Sequence, residues 1–134
     1  MTETQPAITV MVVEDDKLLS DLLARKFTAE HFNLIHAPTG ELALELLKTT
    51  KPDLVLLDIL LPGIDGFEVL RNIKANPDTK NIPVVILSNL GQESDIKRGQ
   101  ELGAEKFIVK VTLTLDEVVA MVRGVSESAH KAAA

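Results

Sequence analysis

Apolar residues along this chain fall into two alternating patterns. Five short runs are dense in Val, Ile and Leu: "AITVMVV" (7–13), "FNLIHA" (32–37), "DLVLLD" (53–58), "IPVVILS" (82–88) and "KFIVK" (106–110). Four of them are almost continuous, without in/out alternation, which predicts strands covered on both faces, as in a parallel sheet. Between the runs, apolar residues recur at helical spacing. Leu18, Leu19, Leu22, Leu23 and Phe27 form one stripe, Leu42, Ala43, Leu46 and Leu47 a second, Val69, Leu70 and Ile73 a third. Leu115, Val118, Val119 and Val122 form the last, opened by a capping-box pair, Thr114 and Glu117. The segment Gln92 to Leu102 has only Ile96 and Leu102 as large apolar residues, so it predicts a weakly anchored, solvent-facing helix.

Strand and helix alternating five times predict an α/β fold, a doubly wound parallel sheet with right-handed crossovers. The length of 134 residues suits one domain. Residues 1–6 read as a flexible tail, 7–127 as the domain, and 128–134 as a C-terminal tail or helix end. "KANPDTKNIP" (74–83) reads as a loop.

Composition narrows the function. Hydrophobic residues make up 46% but aromatics only 3%, so the core is aliphatic. A formal net charge of -6 argues against general affinity for nucleic acid or anionic membrane. Cysteine is absent, which excludes disulfides and thiol chemistry. No basic leader and no apolar run near the ~20 residues of a membrane span are present. A cytoplasmic location is expected.

The strand ends carry the chemistry. The first run leads into Glu14-Asp15-Asp16, the third ends in Asp58, the fourth in Ser88 and the fifth in Lys110. In an open parallel sheet all strand C-termini share one edge, where ligands bind. Each residue has a plain structural reading: Asp58 as a turn residue, Asp16 as a helix cap, Ser88 as a loop hydroxyl, Lys110 as a surface amine. Their coincidence at one edge favours function. Crowded carboxylates repel, so one takes up a proton or a cation sits between them. A hard divalent cation that keeps waters and recruits phosphate oxygens suits such a set. A carboxylate can act as a nucleophile towards phosphorus, with a lysine neutralising the transferring group.

In order and spacing, "VMVVEDD", "LVLLDILLPGIDGFEVL", "IPVVILS" and "GAEKFIVK" resemble the receiver domain of two-component response regulators, over residues 7 to 127. The resemblance implies a flavodoxin-like fold, a five-stranded sheet in order 2-1-3-4-5 with five helices. It implies Asp58 as phosphoacceptor, taking the phosphoryl group from a phosphohistidine on a sensor histidine kinase or histidine phosphotransfer protein. Mg²⁺, or alternatively Mn²⁺, would be held by Glu14, Asp15, Asp58 and the backbone carbonyl of Leu60. Ser88 would be the switch hydroxyl, Lys110 the phosphate-pairing lysine and Phe107 the switch aromatic, with output through the fourth helix, fifth strand and fifth helix. A phosphoacceptor of this kind assists its own phosphorylation and dephosphorylation but is not otherwise an enzyme.

The chain departs from the family pattern at Val111 and Asn89, and two further positions, Leu60 and Leu90, bear on its chemistry. Val111 replaces the usual Pro after the lysine, which predicts either a trans peptide with a rerouted loop or a strained cis one. Asn89 replaces a very small residue and narrows access to the site. Leu60 and Leu90 are apolar where the family tunes attack by water, which predicts a long-lived phosphorylated state.

Three other readings are weaker. An aspartate-nucleophile phosphatase wants a second carboxylate where Leu60 stands. A nucleotide or flavin module would place Gly, Ser or Thr, not three acids, after the first strand. A receiver-like scaffold that is never phosphorylated fits the acidic set less well, though Val111 and Asn89 keep it open. The chain reads as a stand-alone type that passes its signal to a separate target protein or serves as a phosphorelay shuttle or phosphate sink. It would be a monomer or a phosphorylation-dependent dimer. His31, His36 and His130 lack ligand spacing and are assigned no special role.

Overall fold

The structure is a computed structural model that describes residues 7–133, with side chains as far as Ala129. The expected tail at 1–6 lies outside the described residues. Five strands form one parallel sheet: β1 (Thr9–Val13), β2 (Asn33–Ala37), β3 (Leu54–Leu57), β4 (Val84–Ser88) and β5 (Lys106–Val109), in the order β2-β1-β3-β4-β5. Five helices connect and follow them: α1 (Lys17–Ala29), α2 (Gly40–Leu46), α3 (Gly66–Ala75), α4 (Glu93–Glu101) and α5 (Leu115–Ala133). The final helix therefore continues to Ala133 and takes up most of the segment expected to be a tail or helix end.

The unbroken apolar runs are explained by the two faces they cover. Successive strand residues point to opposite sides. Met11, Val13, Val55, Leu57, Val84 and Ile86 meet α2 and α3 on one face. Val10, Val12, Leu54, Leu56, Val85 and Leu87 meet α1 and α5 on the other. With helices on both faces, a polar alternation would bury unpaired groups, so the central strands are apolar throughout except at Thr9, which opens β1, and Ser88, which ends β4. The second run is β2, an edge strand, and it is less buried up to its last residue, Ala37, which is fully buried.

Helix starts follow local chemistry. Asp16 caps α1 by accepting the Leu19 N–H, Thr39 caps α2 through Leu42, and Asp65 caps α3 through Glu68. Before α5 the capping box closes in both directions, Thr114 N–H to Glu117 and Glu117 N–H to Thr114 Oγ1. The helical stripes need two corrections. In α1 the buried residues are Ser20, Leu23 and Phe27, while Leu18 and Leu22 are exposed. In α2 Gly40 and Ala43 face the core and Leu42 does not. A run with leucines in adjacent pairs matches more than one helical face, and tertiary packing selected the face centred on Leu23 and Phe27.

Candidate functional site

The sheet's ladder continues past β1 and β3 and carries the acids with it. Glu14 N–H bonds to Ala37 O at 3.1 Å, and Asp58 N–H bonds to Val13 O at 3.0 Å. Val13 and Leu57 are direct partners in the register, so the residues that follow them, Glu14 and Asp58, emerge side by side at the carboxyl edge. Both are buried, at 2% and 5% exposure, while Asp15 points into solvent. Carboxylate oxygens of Glu14, Asp15 and Asp58 all lie within 4.8 Å of one another.

Lys110 closes this cluster from two strands away. It follows β5, and its Nζ lies 2.7 Å from Glu14 Oε1 and 3.0 Å from Asp58 Oδ2. Burial works against the lysine's charge, but the two carboxylates outweigh it and hold the Lys110 pKa above the ordinary lysine value. Glu14 moves the other way from a usual paired acid. Loss of water, aided by the repulsion of Asp58, raises its pKa despite the bonds from Lys110 and the Asp16 N–H. One ammonium shared by two buried carboxylates leaves the set rich in negative charge, with Asp15 added at its mouth.

The loop after Asp58 shapes the rest. Asp58 Oδ1 accepts the N–H groups of Ile59 at 2.7 Å and Leu60 at 3.3 Å, so one carboxylate oxygen is fixed by its own turn and the other faces Lys110. The Leu60 side chain is 56% exposed at the rim. Gly66 opens α3 directly beneath: a Cβ there would lie 2.2 Å from Asp58 O and 2.7 Å from Ile59 Cα. Only a glycine lets the helix approach the phosphoacceptor candidate's backbone this closely.

Ser88 ends β4 fully buried, and its Oγ accepts the Leu90 N–H at 3.3 Å. Phe107 lies apart from the acids. Its half-buried ring packs on the core face beside Gly99 of α4. At Val111 the family's proline is replaced without a cis peptide: none occurs among the described residues, and Lys110–Thr112 forms a 3₁₀ turn held by Thr112 Oγ1 to Val109 O at 2.7 Å. Of the two expectations, the trans bond with a rerouted loop is the observed one. Val111 is 85% exposed, and Lys110 still reaches the acids.

One residue at this edge is assigned no special role by its sequence spacing. His36, near the end of β2, places its Nε2 2.9 Å from the backbone carbonyl of Glu14. No spacing rule points to it, because its partner is a main-chain atom of another strand's loop.

A sheet in the order 2-1-3-4-5 with this edge is matched by the family described as the response regulator receiver domain, over residues 10–123. The chain belongs to that family. Its fold is the flavodoxin-like, CheY-like one, and as a receiver domain it is a phosphoacceptor module of two-component signalling. The receiver is 38% identical over 114 residues to the response regulator PleD of Caulobacter vibrioides, spanning 85% of this chain and 24% of PleD. It therefore spans about a quarter of that relative's length. Among solved structures it is similar to the phosphorylated cyanobacterial phytochrome response regulator RcpA (31% identity, TM-score 0.78, 91% of this chain and 93% of that one). It is also similar to the Mn²⁺-bound form of response regulator Rcp1 (34% identity, TM-score 0.76, 88% and 91%). No helix among the described residues is long and apolar enough to cross a membrane.

Proposed function

We propose that this receiver takes a phosphoryl group on Asp58 from a phosphohistidine and relays the change through α4, β5 and α5. The observation that carries the reading is the cluster of Asp58, Glu14, Asp15 and Lys110 at one sheet edge. Asp58 Oδ1 is occupied by two backbone amides, which leaves Oδ2 to attack phosphorus. A P–O bond forms to Asp58 as the P–N bond to the donor imidazole breaks. The departing nitrogen keeps the electron pair and takes up a proton. Lys110, already 3.0 Å from Oδ2, moves with the new phosphoryl oxygens as their cation.

The donor set fits a hard divalent cation: it is all oxygen, negatively charged, and open at the exposed Asp15. Mg²⁺ or Mn²⁺ would be held by Glu14, Asp15, Asp58 and the Leu60 carbonyl, and would supply charge neutralisation for the phosphoryl oxygens. Phosphorylation adds about 1.5 to 2 negative charges and three strong acceptors. Ser88 would then release the Leu90 N–H that its Oγ accepts and donate its hydroxyl proton to a phosphoryl oxygen, drawing the β4–α4 loop inward and freeing space for the Phe107 ring. Leu60 and Leu90 present no group that orients an attacking water, so the acyl phosphate is long-lived. The domain is assigned to residues 7–127, the location to the cytoplasm, and the partners to a histidine kinase or phosphotransfer protein and a separate target, without nucleic acid. The receiver works as a monomer or dimerises on phosphorylation.

Incubation with Mg²⁺ and acetyl phosphate, followed by intact mass measurement, tests this. A phosphate-sized gain in the parent and none in Asp58→Asn is the expected result. No gain in either points to a receiver-like scaffold that works by binding alone.

A further inference from the structure

The acids after β1 depend on an adjacent strand for their position. Glu14 is tied at both ends of its backbone to the end of β2: its N–H donates to Ala37 O at 3.1 Å, and its carbonyl lies 2.9 Å from His36 Nε2. A carbonyl only accepts, so His36 must carry its proton on Nε2 to make this bond. The carbonyl of Glu14 belongs to the peptide that leads into Asp15. Fixing that oxygen fixes the plane of the Glu14–Asp15 peptide and hence the direction in which Asp15 leaves the strand. The Asp16 N–H, which donates to Glu14 Oε2 at 3.1 Å, completes the tight turn. Three successive acids in one turn repel one another, and a turn that must hold them needs donors aimed at its backbone.

Resting on the metal-binding reading above, we infer that His36 is a positioning residue for the cation site, acting through the Glu14 carbonyl. It touches neither the cation nor the phosphoryl group. Its imidazole sits on the outer edge strand, exposed, with β2 paired to β1 alone. Its contribution is therefore separable from core packing. Outer partners that orient ligands commonly alter metal affinity by about tenfold or more when removed. The requirement here is for a donor at the Nε2 position, which Gln supplies at similar reach and Leu does not.

The test is a titration of the purified protein with Mn²⁺, free ion being counted by electron paramagnetic resonance, for the parent, His36→Gln and His36→Leu. His36→Leu is expected to bind about tenfold more weakly, and His36→Gln to return close to the parent value. Long-range ¹⁵N–¹H spectra of the metal-free parent should show His36 with the proton on Nε2. Equal affinity for parent and His36→Leu overturns the inference while leaving the cation site intact. Loss of affinity in His36→Gln equal to that in His36→Leu, or an Nε2 without a proton, overturns it as well. A parent that binds no Mn²⁺ overturns the metal-binding reading and takes this inference with it.

Discussion

Helices α3 and α4 each follow a strand with a candidate site residue at or just past its end, Asp58 and Ser88, yet they are attached in opposite ways. α3 buries Gly66, Phe67, Val69, Leu70 and Ile73 of its ten residues, and its N-terminus is capped by Asp65. α4 buries only Gly99 of its nine, and its N-terminus has no side-chain cap. Both use a glycine at the contact, but against different matter. At Gly66 a Cβ would strike backbone, Asp58 O and Ile59 Cα. At Gly99 it would strike side-chain ends, Ile86 Cδ1 and Phe107 Cδ2, each at 2.9 Å. A well-buried helix holds the loop of Asp58, the proposed phosphoacceptor, and a loosely held one lies over the aromatic proposed to move. Low local burial is what a two-position element requires.

Substitutions at these contacts should separate the two helices. Gly66→Ala meets atoms that cannot yield, and it is expected to cost about 3 kcal/mol or more in chemical denaturation, with phosphorylation lost. Gly99→Ala meets side chains that can turn aside. Its cost should be about 1 kcal/mol, accompanied by displacement of the Phe107 ring seen in aromatic NMR shifts. Equal losses at the two glycines would erase the distinction drawn here. Arg98 lies 4.3 Å from the centre of the Phe67 ring and ties α4 to α3. Arg98→Ala should cost below about 1 kcal/mol and speed amide exchange in α4 more than in α3.

The smallest expected effect concerns pH. Lys110 has a folded pKa above its ordinary value of 10.5, because its bonds to Glu14 and Asp58 outweigh its burial. A raised lysine contributes stability that is complete below the unfolded value and lost as pH climbs through the folded one. In metal-free buffer the parent should therefore lose unfolding free energy above about pH 10.5 relative to Lys110→Met. Parallel curves for the two proteins would contradict that.

Much of this was legible in the sequence for a physical reason. Central strands covered on both faces need apolar interiors, so β1, β3 and β4 stand out as apolar runs, and the polar residues at or just after their ends are Glu14, Asp58 and Ser88. The capping box at Thr114 and Glu117 is equally local. What escaped depends on contacts between segments. The paired leucines of α1 suit more than one face, so the apolar stripe takes in Leu18 and Leu22, which are exposed. The anchors of α4 are a glycine and an arginine, residues that read as a helix weakener and a surface charge. His36 acts on a main-chain oxygen, which leaves no trace in residue types. The trans path at Val111 was one of two allowed by the chain, and the 3₁₀ turn decided it.

The central claim is that Asp58 receives the phosphoryl group. Borohydride reduces an acyl-phosphate side chain to the alcohol, turning aspartyl phosphate into homoserine and glutamyl phosphate into 2-amino-5-hydroxypentanoic acid, and peptide mass spectrometry locates the product. The account predicts homoserine at position 58 alone; homoserine at 15 or 16, or the five-carbon alcohol at 14, with position 58 unchanged would contradict it.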